Sequence, residues 1–189
     1  MAPQEYRLTI GVSTNTTPYI HDFLIDPIQS FQKLYPQIEV RMTEINAYTA
    51  EELLEQQTID MALSSGFLSV SHALDYKLLK TTTVEICVNR SSPLAKEPVL
   101  SYEQLASEPI VTSFLMNQEF EKYLERGFAR AGCDIGFVRR DFVKPEDPDL
   151  VCIPLKTPIF SYVTLKWRKE GVLQEVVNQL AAMIPSEEK

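Results

Sequence analysis

Residue types that enzyme motifs and metal sites require are scarce in this sequence. It contains two histidines, three cysteines and six glycines in 189 residues. Neither His21 nor His72 lies near a pair of cysteines, so no cluster has the spacing of a zinc site. A Gly-rich phosphate loop and an internal repeat are also absent from the sequence. We therefore expect neither a metal ion nor a cofactor.

The sequence also lacks the context of a catalytic nucleophile. No serine stands in a nucleophile-elbow motif, and no cysteine has an evident histidine partner. The carboxylates fall mainly on charged helical faces, as Glu51, Glu52 and Glu55 do. The sequence predicts a protein that is not an enzyme and has no catalytic residues.

Long apolar runs are missing as well. No stretch approaches the roughly 18 apolar residues of a membrane span, and the N-terminus MAPQEYR lacks the apolar core of a signal peptide. Cys87, Cys133 and Cys152 are widely spaced and each lies next to apolar residues, which favours buried thiols in a reducing compartment over disulfides. We expect a cytoplasmic protein that does not associate with membranes.

Positive charge is in deficit. The chain has 18 Lys and Arg against 26 Asp and Glu, a net charge of -8. Such a surface repels phosphate backbones, which argues against direct binding of nucleic acid by this chain.

What the sequence does contain is strand-like and helix-like patterns in alternation, as residues 6–36 illustrate. Leu8, Ile10 and Val12 form a short apolar run that is typical of a buried parallel strand. The apolar residues of the next segment recur at steps of three and four and predict an amphipathic helix: Ile20, Phe23, Leu24, Ile28, Phe31 and Leu34. Alternation of this kind predicts an α/β fold.

A hydroxyl-rich turn joins the first strand to its helix. It consists of Ser13, Thr14, Asn15, Thr16 and Thr17. Open α/β sheets bind small ligands at such turns, because free N–H groups and the helix dipole favour an anion there. The alternative is that these residues only cap a helix.

Polar residues also follow later elements. A strand over residues 59–63 ends at Ser64, and a strand at residues 110–111 ends at Thr112 and Ser113. Thr49 is followed three residues later by Glu52, which is the spacing of a capping box. Thr49 is therefore either a plain helix cap or a ligand contact.

Four ordered segments together resemble the effector-binding domain of LysR-type transcriptional regulators. They are LTIGVS, FLIDPIQSFQKLYPQIEV, IDMALS and EICVNRSSPLA, and the resemblance covers residues 7–184. It implies two Rossmann-like lobes joined by crossover strands, as in type II periplasmic binding proteins, with a small molecule bound between the lobes.

The resemblance also implies how the chain is divided. Residues 5–85 and 166–189 should form the first lobe and residues 86–165 the second. The second lobe looks shortened, because KPEDPDLVCIPL follows directly where the family has a further strand and helix. The winged helix-turn-helix domain of the family is not in this sequence, so we expect contact with DNA only through such a domain. Family members pair through the first helix, so we expect a homo-oligomer in which Phe31 and Tyr35 offer apolar area.

Carried over by position, the family's effector contacts fall on eight residues, all with hydroxyl groups: Ser13, Thr14, Thr16, Thr17, Thr49, Ser64, Thr112 and Ser113. Such a lining suits a small anionic or amino-acid-like effector. The alternative function is a solute-binding protein of a transport system, which would share the fold but need a secretion signal.

Overall fold

The computed structural model describes residues 6–66, 68, 71–105, 110–112, 135–142 and 148–187. The eight strands in these ranges are β1 (Tyr6–Ser13), β2 (Ile38–Ile45), β3 (Met61–Gly66), β4 (Leu74–Asn89), β5 (Ile110–Thr112), β6 (Ile135–Arg139), β7 (Leu150–Ile153) and β8 (Ile159–Arg168). The α-helices are α1 (Ile20–Phe23), α2 (Ile25–Leu34), α3 (Ala50–Glu55), α4 (Tyr102–Leu105) and α5 (Gln174–Met183). Short 3₁₀ helices lie at Thr14–Tyr19, Ala47–Thr49, Pro93–Lys96 and Arg140–Phe142. No helix within the described ranges is long and apolar enough to cross a bilayer.

The chain forms two compact units. The first contains Met1–Thr81 and Tyr162–Lys189, and the second contains Thr82–Ser161. Strands β4 and β8 each pass from one unit to the other. The unit boundaries therefore lie four residues before the two lobe boundaries that we expected from the sequence.

The sheet of the first unit has the order β2-β1-β3-β8. Strand β1 is parallel to β2 and to β3, and β3 is antiparallel to β8. The carboxylate of Asp60 fixes the start of β3, since its Oδ2 accepts the backbone N–H of Thr9 at 2.8 Å. Arg168 at the end of β8 lies 3.6 Å from the other oxygen of that carboxylate.

Helices cover both faces of this sheet. On one face Leu8 and Ile10 of β1 pack with Phe31 of α2 and Leu180 of α5, and all four are fully buried. On the other face a smaller core joins α3 to the sheet through Ile45, Ala50, Leu54, Ile59, Ala62 and Leu74. Gly11 belongs to this second face, where an added Cβ would lie 2.8 Å from the Cδ1 atoms of Ile45 and Ile59. The residue at position 11 must therefore be small.

The C-terminal end of α5 and the residues after it are hydrogen-bonded to β4 in the first unit. Lys77 of β4 donates to the carbonyl oxygens of Ala181 and Ile184, at 3.2 and 2.5 Å, where α5 ends. A cation at this position satisfies free carbonyls and opposes the negative end of the helix dipole. Beyond the helix, Glu187 donates its N–H to the carbonyl of Leu79 at 2.8 Å.

In the second unit β4 pairs in antiparallel fashion with both β6 and β7, and β5 is parallel to β6. Its core contains Ile86, Val88, Leu100, Leu105, Ile153 and Leu155. Only residues 143–149 separate the 3₁₀ turn after β6 from β7.

Two expectations from the sequence are wrong. Cys87 and Cys152 form a disulfide, with Cα atoms 4.4 Å apart, where we had expected free thiols. The two residues lie directly opposite each other on antiparallel strands β4 and β7, which brings their side chains together. Cys133 lies outside the described residues.

The expected capping box at α3 is also wrong. The hydroxyl of Thr49 donates to the carbonyl of Asn46 at 3.1 Å and caps no N–H group. Glu52 accepts from Gln56 at 2.8 Å rather than from the start of the helix. The reason is that a 3₁₀ turn, capped by the Asn46 side chain on the N–H of Tyr48, precedes α3 and places Thr49 in helical backbone.

Candidate functional site

A pair of buried hydroxyls closes the carboxyl end of β1. Ser13 and Thr16 are both fully buried, and their hydroxyl oxygens lie 3.1 Å apart. Ser13 donates to Oδ1 of Asn15 at 2.7 Å. The Thr16 hydroxyl lies 2.7 Å from the carbonyl oxygen of Ser13 and 3.1 Å from that of Leu63. Both hydroxyl protons are therefore used within the protein, and these two bonds hold the turn in shape.

Hydrogen bonds join the same turn to the end of β3. Thr16 reaches the carbonyl of Leu63, and the side-chain amide of Asn15 donates to the carbonyl of Ser65 at 3.4 Å. Strands β1 and β3 are parallel, with Val12 opposite Leu63, so their carboxyl ends meet at one edge of the sheet. The structure thus brings the predicted residues of the first turn together with the predicted end of β3. Asn15, which sequence reasoning placed in the turn but not in the site, holds the two together.

The solvent side of this turn carries a carboxylate. Thr14 is partly exposed and donates to Oε1 of Glu44, on β2, at 2.9 Å. Thr17 is exposed and donates to the carbonyl of Thr14 at 2.9 Å. An anion at this turn would meet the negative charge of Glu44, whereas a cationic group would be attracted to it.

Thr49 lies in the turn that precedes α3, and this turn contacts β3. Its side chain is partly exposed and is bonded to Asn46 as described above. Thr112 is the last residue of β5 and belongs to the second unit. Ser113 lies outside the described residues.

Beside the predicted site residue Ser64 lie two polar residues of β8, Thr164 and Lys166, which sequence reasoning did not place in the site. Ser64 and Thr164 lie opposite each other, and the Thr164 hydroxyl is 3.5 Å from the carbonyl oxygen of Ser64. Two residues further along β8, Lys166 lies opposite Ala62 and is 8% exposed. Its ammonium group forms an ion pair with Glu51 in the first turn of α3. The available signal was a lysine between the apolar residues Leu165 and Trp167 of a strand.

Among the described residues, no group of three or more His, Cys, Asp or Glu is arranged to hold a metal ion. The polar groups that the turn presents to solvent, Thr14, Thr17 and the Glu44 carboxylate, can form hydrogen bonds and ion pairs with a ligand.

Comparison with known proteins identifies the family. The profile of the LysR substrate binding domain matches residues 2–127. The chain belongs to the LysR substrate-binding domain family. Solved LysR-type domains share its fold: the reduced form of OxyR superposes with a TM-score of 0.69 at 18% identity, over 96% of this chain and 95% of that one. The C-terminal domain of a probable LysR family transcriptional regulator from Rhodococcus sp. RHA1 gives a TM-score of 0.68 at 18% identity, over 93% and 97%. The predicted α/β fold of two Rossmann-like lobes is thereby confirmed.

Relatives detected from sequence are full-length regulators. The HTH-type transcriptional regulator BudR of Raoultella terrigena is 27% identical over 139 residues, which are 70% of this chain and 46% of BudR. This LysR substrate-binding domain thus spans less than half the length of that relative. Regulation of transcription, the role that the name of this relative states, is a non-enzymatic one.

Proposed function

We propose that this chain is the effector-sensing part of a LysR-type transcription regulator that acts in the cytoplasm. The observation that carries the proposal is that hydrogen bonds join the polar turn after β1 to the end of β3. The chain also belongs to the LysR substrate-binding domain family. Open α/β sheets bind ligands at such strand ends. DNA would be contacted by another domain, since the net charge of -8 disfavours contact through this one.

The proposed effector contacts in the first unit are Ser13, Thr14, Thr16, Thr17, Thr49 and Ser64. Those proposed in the second unit are Thr112 and Ser113. Of the two ligand classes expected from the sequence, the geometry favours the amino-acid-like one. Ser13 and Thr16 are fully buried and donate within the protein, and the partly exposed Thr14 donates to Glu44, so the exposed part of the turn offers acceptors rather than donors to a ligand. Together with the Glu44 carboxylate, they suit an ammonium group better than a simple anion.

Calorimetric titration with a panel of amino acids, dicarboxylates and sulfate tests this proposal. We expect an amino acid to bind. Glu44→Gln should lower its affinity about tenfold, which corresponds to a loss of roughly 1.4 kcal/mol in binding free energy. The matched control is Glu39→Gln, which removes the same charge from the same strand at a carboxylate already paired with Arg7 and Arg41. Equal weakening by both variants would indicate bulk attraction, and binding of sulfate or dicarboxylates alone would contradict an ammonium-bearing ligand.

The transport solute-binding protein that the sequence left open would have a similar fold. Both the matching family and the relatives detected from sequence are those of transcription regulators, which favours the regulator.

We also propose that the protein acts as a homo-oligomer. Phe31 cannot contribute to an interface as we had expected, because it is fully buried, and Tyr35 is partly buried and stacks on it with ring centroids 4.8 Å apart. Leu34, which is 67% exposed, is the apolar residue that α2 offers to a partner. Sedimentation of the wild type and of Leu34→Glu tests this assignment, since a dimer that uses α2 should dissociate in the variant.

A further inference from the structure

The second unit contains a pair of cysteines whose positions are fixed by strand register. Cys87 is in the middle of a ladder in which Ile86, Cys87 and Val88 of β4 face Ile153, Cys152 and Val151 of β7. The Cα atoms of the two cysteines are 4.4 Å apart, a separation at which side chains on antiparallel strands approach most closely. The sulfur atoms are bonded in the structure.

The surroundings hold this register whether or not the bond is present. Ile86 and Ile153, which flank the cysteines, are buried in the core of the second unit. On its other side, β4 pairs with β6, where Cys87 lies opposite Gly136. Beyond the ladder, the N–H of Arg90 donates to the carbonyl of Asp149 at 2.9 Å. Two thiols at these positions would therefore remain in bonding distance without rearrangement of the strands.

The two cysteines differ in access. Cys87 is 1% exposed, whereas Cys152 is partly exposed on β7. Cys152 is therefore the cysteine that a soluble reagent can approach, whereas Cys87 is shielded from reagents and faces its neighbour. This is the arrangement of an attacking thiol and a resolving thiol.

We propose that Cys87 and Cys152 are a reversible site of thiol–disulfide exchange with a small-molecule disulfide such as oxidised glutathione. The Cys152 thiol loses its proton and attacks one sulfur of the reagent, which releases one reduced glutathione and leaves a mixed disulfide. Cys87 then loses its proton and attacks Sγ of Cys152, which releases the second glutathione as a thiol. Two protein thiols are oxidised to one disulfide, and one small-molecule disulfide is reduced to two thiols. The forward reaction closes a loop of 65 residues in sequence, and an excess of thiol reverses it.

Alkylation and peptide mass spectrometry test the chemistry. The whole chain is reduced with dithiothreitol, freed of reductant, exposed to oxidised glutathione and alkylated without unfolding and then after unfolding. We expect a peptide cross-linked between Cys87 and Cys152 after oxidation and its loss after renewed reduction of the folded protein. Three alkylated cysteines after oxidation, a cross-link that contains Cys133, or a cross-link that resists reduction of the folded protein would each overturn the proposal.

Thermal unfolding supplies a second measurement. Oxidation should raise the Tm of the wild type by about 5–15 °C, since a disulfide over a loop of this length constrains the unfolded chain. Cys152→Ser should show no difference between oxidised and reduced samples, whereas the matched variant Cys133→Ser should behave as the wild type does. If Cys133→Ser abolished the difference, the pairing proposed here would be wrong.

Discussion

Removing the charge of Glu51 should destabilise the first unit, because the largely buried ammonium group of Lys166 would lose this ion pair. The side chain of Lys166 is 10% exposed, and that of its partner Glu51 is 30% exposed. Loss of one member of a fully buried ion pair costs about 3–5 kcal/mol. The partial exposure of Glu51 reduces this value, and we expect Glu51→Gln to lower the free energy of unfolding by about 2 kcal/mol.

The assay is urea denaturation followed by the fluorescence of Trp167. This residue is the single tryptophan of the chain, adjacent to Lys166 on β8 and 9% exposed, with its indole N–H donating to Asn178 at 3.0 Å. Its emission therefore reports unfolding of the first unit. A loss of about 2 kcal/mol should lower the midpoint by roughly 1 M urea. Glu52→Gln is the matched control, because Glu52 is the next residue on the same helix, is exposed, and should change stability by no more than about 0.5 kcal/mol.

A double variant decides whether charge is the cause. Lys166→Met combined with Glu51→Gln removes both charges and keeps side chains of similar length, which often costs little or stabilises a protein. We expect the double variant to be more stable than Glu51→Gln alone. The reasoning would be refuted if Glu51→Gln unfolded within about 0.5 kcal/mol of the wild type, or if adding Lys166→Met lowered stability further.

Two further predictions concern the core of the first unit. Phe31→Ala should lower the free energy of unfolding by about 3–5 kcal/mol in the same urea titration, because the ring is fully buried. Leu34→Ala, on the exposed side of α2, should change it by about 0.5 kcal/mol or less. Similar losses in the two variants would contradict the assignment of the buried and exposed faces of α2. Gly11→Ala should lower the free energy of unfolding by about 1–3 kcal/mol, because the added methyl group overpacks the core. Adding Ile59→Val, which removes one of the two opposing Cδ1 atoms, should restore part of that loss. No recovery in the double variant would indicate backbone strain instead.

Local pattern was sufficient to predict much of the fold. A short apolar run located β1 and steps of three and four located α2. Ser13 lies at the end of β1 as expected, whereas Ser64 lies within β3, which continues to Gly66. These features depend on residues close in sequence, where side-chain periodicity reports directly which face is buried. The turn at Ser13 and Thr16 could therefore be identified before its geometry was known.

Features that depend on long-range register could not be predicted in this way. Cys87 and Cys152 are 65 residues apart, and Lys166 and Glu51 are 115 residues apart. Whether such residues meet depends on which elements are neighbours and, for the strands, on the offset of their pairing, since a shift of one residue turns a strand side chain to the opposite face. The wrong expectation at Thr49 has a local cause: a short 3₁₀ turn precedes α3, and the side chain that caps this turn is that of Asn46.

The anchoring of α5 has a consequence for how the protein emerges during synthesis. Strand β8 completes the pairing of β3, and Leu180 and Ile184 of the last helix and its end are fully buried in the first unit. The ribosome makes these residues after the second unit, at about 5–20 residues per second. Until they leave the exit tunnel, the apolar face of β1 lacks part of its cover and one edge of β3 is open. The second unit, Thr82–Ser161, is continuous in sequence and has left the ribosome by then. The first unit is thus completed only after the second, and for that interval its open strand edge and uncovered apolar face are exposed to aggregation.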